Sequence, residues 1–73
     1  MKVFIKNQGC PLCDNIKNLI PKDATIYDIE TEEGLTEAML YNVQSVPALV
    51  INNKIIFGQE AFEYLRKIYD NSN

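Results

Sequence analysis

Cys10 and Cys13 stand two residues apart, and the 73-residue chain has no histidine. Thiolates are nucleophiles and soft metal ligands. Two of them at this spacing have three uses: thiol–disulfide exchange, a fixed cross-link, or half of a metal site. A cross-link over so short a loop removes little chain entropy. Zinc asks for four ligands, and one chain offers two thiols. A soft metal or iron–sulfur cluster would therefore have to be shared between two chains, which is the alternative reading. The missing imidazole excludes Cys–His catalysis. Exchange chemistry is the leading expectation, with no metal held by a single chain.

That chemistry needs the first sulfur ionised and the second within bonding reach. The segment Gly9-Cys10-Pro11-Leu12-Cys13 supplies both if a helix starts at Pro11. Proline suits a first helical position, where its missing N–H would be unpaired anyway. Cys10 is then the N-cap, beside free N–H groups and the positive end of the helix dipole, which favour a thiolate. Cys13 lies one turn on, faces the same way, and is expected to be buried and protonated until needed. Lys6, before the turn, and Lys17, four residues after Cys13, would add positive potential, opposed by Asp14. The plainer reading of all three is ordinary surface charge.

The rest of the chain supplies a scaffold. Residues 2–6 hold a β-branched and aromatic run, which predicts a strand. Residues 11–20 carry Leu12, Ile16, Leu19 and Ile20 at helical spacing, and Pro21 ends the helix. Residues 24–29 predict a second strand. A second helix spans about 32–41, with Leu35, Ala38 and Met39 on its buried side. Asn42 ends it in the left-handed conformation, and Val43 packs back on the last turn. Ala48–Ile51 is an apolar run suited to a buried strand. Asn52-Asn53 is a hairpin turn leading to a partner strand over 54–57. Gly58 turns into a last helix at about 59–69, with Phe62, Leu65 and Tyr69 inward. Residues 70–73 should fray. The order β-α-β-α-β-β-α predicts an α/β fold, a four-stranded mixed sheet with helices on both faces.

Seven basic and ten acidic residues give a formal net charge of −3, and the lysines are scattered. Nucleic-acid and membrane-surface roles need clustered Lys and Arg, so neither is expected. Met1-Lys2-Val3-Phe4-Ile5-Lys6 has no apolar stretch of the roughly 7–15 residues a secretory signal needs. The expectation is one domain over residues 1–73, monomeric and cytoplasmic.

The sequence resembles the glutaredoxin-like branch of the thioredoxin-fold superfamily over nearly its whole length. Three segments carry the resemblance: Cys10-Pro11-Leu12-Cys13, Ser45-Val46-Pro47, and Lys54-Ile55-Ile56-Phe57-Gly58. Leu12 replaces the Tyr usual in that branch. The resemblance implies a thioredoxin-like fold, with Pro47 cis and facing the cysteine pair. It implies that Cys10 is the nucleophile and Cys13 the resolving thiol. Substrate contacts would come from Pro11, Leu12, Val46, Pro47, Gly58 and Gln59, with the Val46 backbone open to an extended partner. No tightly bound cofactor is implied. The substrate would be a disulfide-containing protein or a glutathione mixed disulfide. An external reductant, either glutathione or thioredoxin reductase with NADPH, would be needed. Two departures thin the contacts to glutathione. Asn7 stands where the branch usually has Lys, with the lysine one place earlier at Lys6. Phe57-Gly58-Gln59-Glu60-Ala61 stands where it has paired glycines and paired aspartates. Similar small redoxins draw electrons from thioredoxin reductase.

Overall fold

The computed structural model describes residues 1–71, which form β1 (Lys2–Ile5), α1 (Pro11–Ile16), β2 (Thr25–Asp28), α2 (Glu32–Leu40), β3 (Ala48–Ile51), β4 (Lys54–Phe57) and α3 (Gly58–Asn71). The element order is the expected one. The sheet runs β2-β1-β3-β4. β1 and β2 are parallel, with Val3 opposite Ile26, as a connection through α1 requires. β1 with β3 and β3 with β4 are antiparallel. Asn52 and Asn53 turn the β3–β4 hairpin with φ of 47° and 69°, the left-handed pair a tight hairpin favours.

Side chains alternate across β1 and divide the core. Val3, Ile5 and Leu49 pack with Cys10, Cys13, Ile16, Ala61 and Leu65. Phe4, Ala48 and Val50 pack under Ala38 of α2, rimmed by Tyr27, Ile29, Tyr41 and Val43. α1 and α3 thus share one side of the sheet and α2 takes the other. Leu65 is fully buried, which stabilises the fold by roughly 1.5–3 kcal/mol relative to exposure.

Three details differ from expectation. α1 stops at Ile16, Lys17–Leu19 form a 3₁₀ turn, and Ile20 is already extended with ψ of 126°. Pro21 disfavours a helical conformation in the residue before it. On α2, Ala38 is buried as expected, but Leu35 is 51% and Met39 73% exposed. Gly34 takes the inner place, because α2 crosses β2 so closely that a Cβ on Gly34 would lie 1.8 Å from the Asp28 carbonyl oxygen. On α3, Leu65 is buried but Phe62 is half-buried and Tyr69 exposed. The inward line is Ala61, Leu65 and half-buried Ile68, one residue round from the expected stripe.

The helix ends follow the sequence. Thr31 caps α2, its Oγ1 accepting the Gly34 N–H at 3.0 Å. Asn42 has φ of 57°, and the Val43 N–H folds back to the Ala38 carbonyl at 2.8 Å. Asp70 and Asn71 still belong to α3, whereas Ser72 and Asn73 of the expected fraying tail lie outside the described residues.

Candidate active site

β1 hands the chain to α1 through Asn7-Gln8-Gly9, where Gly9 adopts φ of +73°, a conformation favouring glycine. Cys10 follows with φ −134° and ψ 86° and caps α1. Its Sγ accepts the N–H of Cys13 at 3.1 Å. Its carbonyl accepts the N–H of Asp14 at 3.1 Å. Pro11 between them has no N–H to satisfy. The two sulfurs are joined in a disulfide, Sγ–Sγ 2.16 Å with the Cα atoms 5.2 Å apart. Cys10 keeps 9% of its surface exposed and Cys13 none. What surface the pair keeps is therefore on Cys10. Pro11 is exposed and Leu12 half-buried beside them.

The second strip comes from the loop before β3. The Val46–Pro47 peptide is cis, as the resemblance implied. Pro47 is fully buried. Val46 is half-buried and packs against both apolar clusters, including the one that holds Cys10 and Cys13. The Pro47 carbonyl accepts the N–H of Gly58 at 2.9 Å, so the start of α3 is tied to this loop. Among the described residues no hydrogen bond uses the backbone of Val46. Gly58 has φ of +56° and Gln59 is exposed after it.

The two lysines differ in their partners. Lys17 Nζ lies 3.4 Å from Asp14 Oδ1, so these charges offset each other on the surface of α1. Lys6 is half-buried, and its Nζ lies over the turn, 3.9 Å from where a Gly9 Cβ would sit. It lines a groove of about 340 Å³ with Ile29, Leu35, Ala38, Val43, Gln44, Ser45 and Val46. Of these, the sequence reading singled out only Lys6 and Val46 for the site. The signal it lacked was the depth of α2: with Leu35 assigned to the core, nothing marked a groove beside Val46. Asn7 donates from Nδ2 to Asp28 Oδ2 at 2.6 Å, so its amide is engaged with the end of β2.

Displaced titrations lie away from the cysteines. Lys2, on β1, donates to the hydroxyl of Tyr41 and pairs with Glu37 at 3.6 Å. The Tyr41 hydrogen bond holds the Lys2 ammonium above the ordinary lysine range. Partial desolvation, with Glu37 nearby, pushes the Tyr27 phenol up. Among the described residues no group of three or more His, Cys, Asp or Glu side chains could hold a metal ion. No helix among them is long and apolar enough to cross a membrane.

A family model described as a thioredoxin domain matches residues 1–64. A protein named Probable Thioredoxin, from Archaeoglobus fulgidus, is 35% identical over 63 residues, covering 77% of this chain and 68% of that protein. No solved structure gives a significant match.

Proposed function

The chain belongs to the thioredoxin family, and from that premise we propose that it is a dithiol electron carrier that reduces disulfides in partner proteins. A thioredoxin domain with a CxxC pair is a thiol–disulfide oxidoreductase in kind. The roles of individual residues are our reading. One observation carries them: of the pair only Cys10 keeps any surface, 9% against none, and its Sγ accepts the Cys13 N–H at the start of α1.

In the reduced protein that N–H favours a thiolate on Cys10. The thiolate attacks one sulfur of a partner's disulfide. A bond forms between Cys10 and the partner, and the displaced partner thiolate takes up a proton. Cys13 loses its proton and attacks Cys10 Sγ, and the intermolecular bond breaks. The second partner thiolate is then protonated. Two electrons have passed to the partner, and the protein is left as the Cys10–Cys13 disulfide. An external dithiol donor restores it.

Val46 offers its unpaired backbone to an extended partner, Pro47 shapes that strip, and Pro11, Leu12, Gly58 and Gln59 border it. Lys6 adds positive potential beside Gly9, whereas Lys17 adds little, its charge being offset by Asp14. The electron donor on this reading is a thioredoxin reductase using NADPH rather than glutathione. Asn7, in place of a lysine, is engaged by Asp28, and Ala61, in place of an acid, is fully buried. Asn7 brings no charge to a glutathione carboxylate, and Ala61 no acid to its amine.

The test is insulin reduction. The wild-type protein should reduce insulin with NADPH and thioredoxin reductase and fail with glutathione and glutathione reductase. Cys10→Ser should fall to background, and Cys13→Ser should accumulate a mixed disulfide with its substrate. Wild-type rates in Cys10→Ser would overturn the assignment.

A further inference from the structure

Asp28 ends β2, and both oxygens of its side chain are in use. Oδ1 accepts the Glu30 N–H at 2.9 Å, and Oδ2 accepts the side-chain N–H of Asn7 at 2.6 Å. Its carbonyl takes two more bonds, from the Thr31 N–H at 3.0 Å and the Thr31 hydroxyl at 2.7 Å. Asp28 stands opposite Ile5 in the sheet, and the next residue adds a rung, from the Ile29 N–H to the Ile5 carbonyl at 3.0 Å. The carboxylate is therefore held by the sheet and by its own loop. Asn7 has no such frame. It is exposed and belongs to the segment 6–9 that carries the chain from β1 to Cys10. Among the described residues, its bond to Asp28 is the one hydrogen bond that ties this segment to the rest of the molecule.

The bond lies at a junction. Lys6 and Ile29, the chain neighbours of Asn7 and Asp28, line the same groove as Val46. The turn that presents Cys10, the end of β2 and the strip read above as the substrate's backbone partner converge there. We propose that Asp28 is a positioning residue: through Asn7 it holds the redox turn in line with Val46, so that a protein disulfide paired at Val46 meets Cys10 without further adjustment. The inference rests on the redox reading above and adds a residue to it. A hydrogen bond to an ionised acceptor is roughly twice as strong as a neutral one. A turn fixed beforehand also spares the cost of ordering it when the substrate arrives. The effect is one of alignment. The Cys10 thiolate is favoured by the Cys13 N–H, which Asn7 does not touch. A small disulfide that does not pair with Val46 has no need of the alignment.

The experiment follows single turnovers of the dithiothreitol-reduced protein, per folded molecule, with insulin and with hydroxyethyl disulfide as a small neutral substrate. Asn7→Ala should lower the rate at saturating insulin about tenfold, within what a misplacement of about 1 Å can cost. It should leave the half-saturating insulin concentration and the rate with hydroxyethyl disulfide unchanged. The ultraviolet absorbance of the Cys10 thiolate should titrate as in wild type, which separates lost alignment from lost ionisation. Asn7→Asp sets two carboxylates face to face and should lose at least as much. Adding Asp28→Asn to it exchanges donor and acceptor. The amide at 28 accepts the Glu30 N–H with its oxygen and donates to the carboxylate at 7, so most of the lost insulin rate should return. An unchanged insulin rate or a displaced thiolate titration in Asn7→Ala would overturn the assignment of Asp28 while leaving the redox function standing. So would an equal loss on both substrates, or no recovery in the exchanged pair. A wild-type protein that reduces neither substrate would end the redox reading and this assignment together.

Discussion

The two sides of the sheet are held by different means. The side under α1 and α3 is a dry cluster in which Val3, Cys13, Ile16, Leu49, Ala61 and Leu65 have no exposed surface. Both cysteines belong to it. The side under α2 is built from rings and charges: Phe4 stacks on Tyr27 at 5.2 Å, and Lys2 lies 4.3 Å from the Tyr41 ring centre. Its helix is seated by a glycine and an alanine and leaves its large apolar residues outside. The difference teaches a division of labour. Close apolar packing fixes the sulfur pair, whereas α2 meets the sheet through small residues and leaves Leu35, Met39 and Leu40 outside, Leu35 on the groove that Val46 also lines.

Substitutions can break or sharpen that contrast. Leu65→Ala should be the most damaging, costing about 2–5 kcal/mol by urea unfolding, a large part of the stability of so small a domain. Because Leu65 shares the cysteines' cluster, insulin reduction per folded molecule should fall with it. Gly34→Ala should cost toward the upper end of the about 1–3 kcal/mol typical of overpacking, since the added carbon meets backbone. Here reduction per folded molecule should hold, and a fall would show that the two sides are coupled. Thr31→Ala removes the α2 cap and should cost about 1 kcal/mol, again without a redox effect. The smallest effect is alkaline. The ammonium of Lys2 and the protonated phenol of Tyr27 are both favoured by folding. Their contribution is complete below the ordinary lysine and tyrosine values of about 10–10.5 and is lost as pH rises through the higher folded ones. The urea midpoint should therefore drop above that range, and less steeply in Lys2→Met. Equal slopes would remove Lys2 from the account.

Much of this was legible in the residues. Pro11 marked the start of α1, Asn42 marked the end of α2, and the paired asparagines marked the hairpin. Local backbone preferences, which do not depend on distant contacts, set all of these. What stayed hidden depended on how closely elements approach. Leu35 and Met39 have the spacing of a core stripe, yet Gly34 and Ala38 carry the contact, because large side chains would hold α2 off β2. Tyr69 was misplaced for a related reason: the seat of α3 runs through Ala61, which periodicity weighs lightly. The cysteine pair and Val46-Pro47 were visible by residue type. The groove beside them was not, since it exists only where α2 lies low.

The bond from Gly58 to Pro47 has a consequence for any extended visitor. Proline has no amide hydrogen to give, and its carbonyl is already taken at 2.9 Å. On the proposed reading, a chain laid along this loop would pair with Val46 and find no donor at the next position. Past Val46 the loop would then offer such a chain no further donor, so the proline would set where its pairing stops.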